Sequence, residues 1–353
     1  MTVKSLPSGS YFLANIPDIH ILTSKSRLLV TIKLGAKSIY EELLYPADGE
    51  VLLSDLADIF QPYARQQLAV EASVSVIEQS VSGDDGENVV QADSKQVNLK
   101  VYYADVCIMG QDCEEFMRTH FLTLIQDTKT TAIGRLEYLH YMGKETATVT
   151  AYYSDDTSKD FSAVAIGGND VYTTIDVSPS HFETKGKTLS YFDVKAGSRS
   201  LTFIMDQERP DCAPILLFTN SFGCQELLYC LGKHEVNPEY TRDAAYIGGQ
   251  KINYRITQTR TFNADTGYLT TSMANWAEDL FSSDEVYLVN IIGGSPVVGK
   301  RVTITDSKSK RDNLYDTMPR YTFSYIYAQR QQKILDLQRG GRIFDNTFDN
   351  TFN

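Results

Sequence analysis

Two pairs of cysteines share one spacing, Cys107 with Cys113 and Cys224 with Cys230, and His234 lies four residues beyond the second pair. Thiolate and imidazole groups in such sets are where zinc would be sought. Structural zinc places about two to four residues inside each pair, whereas five intervene here. The cysteines are therefore expected as small apolar core residues, with no metal and no cofactor. Carboxylates adjoin at Asp84-Asp85, Glu114-Glu115, Asp155-Asp156 and Asp284-Glu285. A glycosidase holds two carboxylates facing across a cleft, which chain neighbours do not imply. Each of these pairs falls at a turn or a helix start, where acids are expected for other reasons. The five histidines, His20, His120, His140, His181 and His234, are scattered. His120, on an apolar helix face, reads as a hydrogen-bonded core residue. The chain carries no phosphate-binding loop, no dinucleotide glycine fingerprint and no nucleophile elbow. No catalytic set emerges, and no enzymatic activity is expected.

The elements that would position these residues are mostly strands. Leu28, Val30, Ile32 and Leu34 alternate with polar or opposite-facing neighbours, as do Leu68, Val70, Ala72, Val74 and Val76, and then Val97, Leu99, Val101 and Tyr103. Period two marks strands with one buried face. Further strands are expected over 146–153, 171–177, 189–194, 201–205 and 215–218, with turns at Ser154-Asp-Asp156, Gly167-Gly-Asn-Asp170 and Lys195-Ala-Gly197. Short strands at such intervals indicate sandwich or barrel packing.

Three short helices are expected among them. One follows Ser54, with Leu56, Ile59, Phe60 and Tyr63 on a face and Pro62 limiting its length. A second opens at Asp112, with Glu115 completing a capping box and Phe116, His120 and Leu124 at four-residue spacing. The third carries Met273, Trp276, Ala277, Leu280 and Phe281 as one apolar stripe to be laid on a sheet. Tyr321, Phe323, Tyr325 and Tyr327 fall on one face of a late strand and are expected to point into a core.

The expected fold class is mainly β: serial sandwich-like or barrel-like domains with a few short helices and an extended C-terminal arm. The expected divisions are 1–95, 96–207, 208–335 and an arm at 336–353, with Arg209-Pro-Asp-Cys-Ala-Pro214 as a linker. Of the 353 residues, 42% are hydrophobic and 11% aromatic, with 22 Tyr and 16 Phe against one Trp. Aromatics of this kind suit pleated sheets and half-wet interfaces. A net charge of −12 opposes a broad phosphate-binding face, so no direct nucleic-acid contact is expected. Lys308, Lys310 and Arg311 form a tight basic cluster that reads as a solvated hairpin turn. Five cysteines in a long chain are not a disulfide framework and point to a reducing compartment. The opening Met1 to Ser10 lacks a signal-peptide core, and no apolar run reaches the roughly 18–20 residues needed to span a bilayer.

After Gly340-Gly341 the pattern changes, and a Phe-Asp-Asn-Thr repeat places Phe344, Phe348 and Phe352 at a period of four behind Ile343. So short a tail cannot build a core, and exposed Phe is costly. Ile343, Phe344, Phe348 and Phe352 are therefore the candidate assembly residues, docking either on the chain's own body or in a groove of a neighbour.

The stretches Phe218-Thr-Asn-Ser-Phe-Gly-Cys-Gln-Glu226, Leu231-Gly-Lys-His-Glu235, Ile252-Asn-Tyr-Arg-Ile256, Asn263-Ala-Asp-Thr-Gly-Tyr-Leu-Thr270 and Trp276-Ala-Glu-Asp-Leu-Phe-Ser-Ser-Asp-Glu-Val286 resemble uncharacterised structural proteins of phages and prophages of Bacteroidetes, of tail or baseplate type. The ending Arg342-Ile-Phe-Asp-Asn-Thr-Phe348 is similar to theirs. The resemblance covers roughly the last 140 residues and the earlier ones only in architecture. It implies a virion component assembled in the bacterial cytoplasm, partnered by its own copies or by other virion proteins, and it carries no catalytic residues. Two other readings fit the same β domains: a secreted or surface adhesin recognising a host glycan or protein, and a polysaccharide hydrolase.

Overall fold

The computed structural model describes residues 1–82, 88–169, 171–208, 212–292, 295–309 and 318–329. Strands hold 56% of the described residues and helices 12%, in several separate sheets with no closed barrel among the described residues, so the fold is mainly β with serial sheets. The chain divides into two compact units, Met1–Arg118 and Thr119 onward.

In the first unit a five-stranded sheet runs in the order Gly9–Phe12, Asn88–Tyr102, Ala69–Ser82, Arg27–Leu34, Lys37–Leu44. All its pairings are antiparallel except the first, which is parallel. A three-stranded sheet of Thr2–Ser5, Ile19–Leu22 and Glu50–Leu53 accompanies it. The alternation fixes the inner face: Leu28, Val30, Ile32, Leu68, Val70, Ala72, Val74 and Val76 are all buried, with Ile19 and Ile21 from the smaller sheet. Residues 95 and 96, an expected domain boundary, are successive rungs of one ladder, Lys95 opposite Val76 and Gln96 opposite Ser75.

Helix α1 spans Leu56–Gln67 and buries Leu56, Phe60 and Ala64, a four-residue repeat, while Ile59 and Tyr63 are only half-buried. Pro62 does not end it. The ring is exposed, so it costs one backbone bond, and the buried stripe on either side holds the remaining turns. Helix α2, Cys113–Thr119, is capped by Asp112, whose Oδ2 accepts from Glu114 N at 3.1 Å and Glu115 N at 3.4 Å, the Asp112 half of the expected capping box. It stops before His120, so Leu124 is not on it.

The second unit holds three sheets. Five strands run in the order Ser158–Ser162, Ala147–Tyr153, Leu189–Ala196, Arg199–Met205, Thr128–Thr131. Three run Tyr138–Met142, Tyr172–Asp176, Val164–Gly168, and seven run Gln225–Tyr229, Ile215–Thr219, Val286–Ile292, Ser295–Ser309, Tyr321–Tyr327, Gln250–Asp265, Glu235–Ile247. Residues on both sides of the expected 207/208 boundary share one core, among them Phe192, Phe203, Phe218, Phe262 and Trp276.

Helix α3, Thr271–Ser282, lies on the large sheet; Thr270 caps it by accepting from Met273 N. Its stripe of Ala274, Trp276, Ala277 and Leu280 is buried, with Met273 and Phe281 packed beside it. Tyr321, Phe323, Tyr325 and Tyr327 point inward as their alternation requires, and Phe281 meets Tyr321 and Phe323 edge-on with ring centres 5.5 Å apart.

One side chain ties two of these sheets. His140 is buried, with Nδ1 2.9 Å from Thr174 Oγ1 and Nε2 2.9 Å from the Gln225 carbonyl. A carbonyl only accepts, so Nε2 carries the proton and Nδ1 accepts from the threonine. Burial drives the imidazole pKa down to about 4 from 6.5, against a smaller raising effect of the Gln225 carbonyl. Between those values the unfolded chain takes up a proton that the folded chain refuses. Stability from this group is complete above the unfolded value and falls as pH drops toward the folded one, by about 3 kcal/mol in all. Urea unfolding of His140→Gln should therefore lose less stability than the unaltered protein between neutral pH and about pH 4; equal losses would contradict a buried neutral imidazole.

Candidate functional site

The two-residue turn Gly248-Gly249 has φ of +60° and +82°, the left-handed backbone that a tight hairpin turn demands and that glycine supplies without strain. It closes a long ladder between Glu235–Ile247 and Gln250–Asp265. The third strand, Tyr321–Tyr327, pairs with this hairpin only at Thr261–Asp265. From the Pro238–Arg260 rung to the Ile247–Gln250 rung the hairpin is therefore a two-stranded ribbon. At about 3.4 Å per residue it is roughly 34 Å long.

The ribbon's composition is unusual for a piece with so little beneath it. Tyr240, Tyr246, Ile247, Ile252, Tyr254 and Ile256 are all exposed, Tyr246 at 77% and Tyr254 at 68%. An isolated two-stranded hairpin is marginal in water, and β-branched residues such as Thr241, Thr257, Thr259 and Thr261 supply local strand preference. A register shift between Asp243 and Ala244 skips Tyr254 on the partner strand, so Ile252, opposite Ala245, falls on the face that carries Asp243 and Arg255. Pro238 sits on the outer edge strand, where its missing N–H blocks continued strand pairing. The ribbon carries Arg242, Lys251, Arg255 and Arg260 against Glu239 and Asp243, in a chain whose net charge is −12.

A second assembly of side chains lies inside the same unit. The chain reverses after Thr128–Thr131 through a turn in which Arg135 N donates to the Ala132 carbonyl at 3.1 Å and Gly134 has φ of +90°. This brings Lys129 beside Glu137. Lys129 Nζ donates to Glu137 Oε2 at 2.7 Å, and Thr131 Oγ1 donates to Glu137 Oε1 at 2.8 Å. The ammonium also lies 4.3 Å from the ring centre of Trp276. Trp276 Nε1 donates to Glu226 Oε2, and Asn220 Nδ2 donates to Glu226 Oε1 at 3.0 Å. Burial raises the Glu226 pKa, while Lys129 and the donors from Trp276, Thr123 and Asn220 pull it down. Lys129, Glu137, Glu226 and Trp276 are all buried.

Beside this cluster is a cavity of about 210 Å³, lined by Lys129, Arg135, Glu137 and Asp206 together with Leu227, Tyr229, Leu269, Met273 and Trp276. Both Glu137 oxygens already accept hydrogen bonds, which leaves that carboxylate poorly placed to take a substrate proton.

The residues singled out by type and spacing fall elsewhere. Cys113, Cys224 and Cys230 are buried and Cys107 is exposed. Burial, then the charges of Asp112 and Glu114, lifts the Cys113 thiol to about 12, and burial likewise pushes Cys224 and Cys230 up. Buried thiols held protonated are inert packing groups. His234 stacks on Phe262 and Tyr325, and its Nε2 lies 2.8 Å from Tyr325 Oη. His20 faces Glu50 and His181 faces Asp176. Asp155 binds Thr157 and Lys187, which hold its pKa at about 2. Among the described residues no group of three or more His, Cys, Asp or Glu gathers to hold a metal. Ile343, Phe344, Phe348 and Phe352, like Asp84, Asp85, Lys310 and Arg311, lie outside the described residues.

The architecture is thus a mainly β protein of serial sheets in which a two-stranded ribbon carries exposed tyrosines and isoleucines. No helix of the described residues is long and apolar enough to cross a membrane. The chain matches no protein-family model and no curated protein.

Removing the Lys129 ammonium leaves Glu137 buried without its cation and takes the nearby charge from Glu226. Lys129→Met should cost about 3–5 kcal/mol, and Lys129→Met with Glu137→Met should recover most of it, because an apolar pair has no desolvation penalty to offset. Chemical unfolding followed by Trp276 fluorescence measures both, and a double variant as unstable as the single one would contradict this.

Proposed function

We propose that the protein is a non-enzymatic structural subunit that works by assembling with further copies of itself, and that the assembly is a phage virion of tail or baseplate type. The ribbon supports the assembling role. It holds three tyrosines and three isoleucines in water along a two-stranded element that, among the described residues, has no third strand over most of its length. The register puts Tyr240, Tyr246 and Ile256 on one face and Ile247 and Ile252 on the other; exposed apolar side chains gathered on one element mark interaction surfaces, and tyrosine is enriched at the centres of interfaces.

The occupant that fits is a second copy of the chain. The ribbon is rich in Arg and Lys whereas the whole chain is strongly acidic, so each ribbon and the body of a neighbour attract one another. Pro238 blocks further pairing along its part of the outer edge, which favours contact through the ribbon's faces. The virion setting rests on the resemblance of the Phe218–Val286 stretches and of the Arg342–Phe348 ending to phage structural proteins. In that setting the arm residues Ile343, Phe344, Phe348 and Phe352 supply a second tie between subunits, and the protein is made in the bacterial cytoplasm and carried in the particle.

Sedimentation velocity tests this reading. Replacing Tyr254 and Ile256 by Thr keeps β-branched side chains on the ribbon and removes apolar area. The variant should associate at least about tenfold more weakly than the unaltered chain while its unfolding free energy stays within about 0.5 kcal/mol. Removing residues 340–353 should weaken association in the same way. An unaltered chain that stays monomeric alone and associates only with a different protein would assign the ribbon to a hetero-partner; unchanged association in both variants would overturn the proposal.

A further inference from the structure

The strand Tyr321–Tyr327 is short for its place in the seven-stranded sheet. It lies between Gln250–Asp265 and Ser295–Ser309, each more than twice as long, and is antiparallel to both. Tyr327, its last residue, is opposite Val302, and Ile326 is opposite Thr261. Residues 250–260 on one side and 295–301 on the other therefore run past its end in the same direction. Each is held from behind, the first by Glu235–Ile247 and the second by Val286–Ile292. Among the described residues nothing pairs with the two edges that face each other beyond Arg301, whose carbonyl accepts from Ala328 N at 3.0 Å. The result is a place for one strand, bordered on both sides. Two strand spacings of about 4.8 Å make it roughly 9.6 Å wide at its base. Residues 250–260 include no proline. Pro296 has no N–H to offer, which leaves 297–301 as the competent stretch on the other side.

The two faces of this place differ. On the face of the buried Phe262 and Tyr327 stand Arg260, two residues before Phe262, and Lys300, whose Nζ is 5.0 Å from the Tyr327 ring centre. On the other face stand Ile252, brought there by the shift at Tyr254, and Val298, opposite Val289; both are exposed. One stretch of the chain matches. As a strand, 343–352 puts Asp345 and Asp349 on one face with Thr347 and Thr351, and Phe344, Phe348 and Phe352 on the other. Its carboxylates then meet the two cations and its phenyl rings the two aliphatic side chains. It spans roughly 33 Å, about the length of the ribbon. Its Ile, Phe and Thr favour strands, whereas the intervening Arg330 to Arg339 is mostly Gln, Lys, Leu and Arg, which favour helices.

We infer that residues 343–352 of a second copy fill this place, added as a strand between 250–260 and 297–301. The inference rests on the self-association proposed above and names the contact that makes it. An arm of the same copy that turned back after residue 339 would enter from the open end and run parallel to both neighbours, the weaker pairing. An arm from a second copy is free to run antiparallel to both. One donor arm and one acceptor place per copy give a head-to-tail contact.

The chain lacking residues 340–353 is mixed with a saturating synthetic peptide of residues 340–353, and amide hydrogen exchange is followed by mass spectrometry. The peptide should slow exchange at least about tenfold in both 250–260 and 297–301. It should leave Lys37–Leu44, an edge strand of the first unit, unchanged. A Thr347→Pro peptide should bind at least about tenfold more weakly, since an internal strand cannot take proline, and a Thr347→Val peptide should bind as the unaltered one does. In the full-length chain the same two stretches should exchange slowly above the association concentration and fast below it, which carries the test if the truncated chain misfolds. No binding, protection of one stretch only, or equal binding of the proline peptide would each overturn the inference. So would a monomeric full-length chain with both stretches protected, because the arm then lies in its own copy. Sedimentation of the full-length chain decides the underlying reading separately: association alongside a failed peptide test removes this contact and keeps the assembling role, and no association removes both.

Discussion

A lysine ammonium in an apolar interior cannot stand alone, and the way Lys129 is neutralised organises the second unit. It is bonded by Glu137, faced by the ring of Trp276 and close enough to Glu226 to offset part of the rise that burial gives that acid's pKa. These four residues come from a short edge strand, the turn after it, helix α3 and the edge strand of the seven-stranded sheet. Taking charges out of water is repaid only when partners are well placed. The requirement therefore fixes where α3 sits on its sheet and how the segment before residue 207 meets the segment after it. Asn220 extends the same network, bonding Glu226, the Leu122 carbonyl and the backbone N–H groups of Phe222 and Cys224.

The ribbon obeys the opposite logic. The core of the unit ends near Phe262, yet the hairpin continues to Gly248-Gly249 with tyrosines and isoleucines in water. Such an element gains little from the rest of the described chain, since among the described residues no third strand pairs with it beyond Thr261–Asp265 and its apolar side chains are exposed. Its tyrosines and isoleucines stay in water, and it carries four cations against two acids in an acidic chain; that contrast is what the proposed self-association rests on.

Strand residues were the most legible part of the chain. The Leu28–Ile32 and Leu68–Val76 alternations, the Tyr321–Tyr327 row and the Met273–Phe281 stripe each give one face of an element, and each face is the buried one. The same kind of reading misjudged α1 at Pro62 and extended α2 to Leu124. Both errors concern where a helix stops, which depends on packing beside it as much as on the residues in it. The ribbon was half legible: Tyr254, Ile256 and Phe262 announce strands, but nothing local says that Phe262 is covered and Tyr254 is not. The buried cluster was not legible at all. Lys129 and Thr131 alternate as inward residues should, but a lysine in a Thr-Lys-Thr-Thr stretch carries no mark of burial, and Glu137 and Glu226 are 89 residues apart.

The sequence by itself determined the mainly β class, the inward faces of the strands and the apolar stripe of α3, because side-chain alternation and helical periodicity are properties of neighbouring residues. Only the tertiary structure decided that the chain crosses residues 95 and 96 within one sheet, that both halves of the second unit share a core, that Lys129, Glu137, Glu226 and Trp276 meet, and that Arg135 borders a cavity. Each of these depends on which distant strands pair and which surfaces lose their water. Those outcomes are settled by the whole chain's burial and charge pairing, and no stretch of sequence contains them.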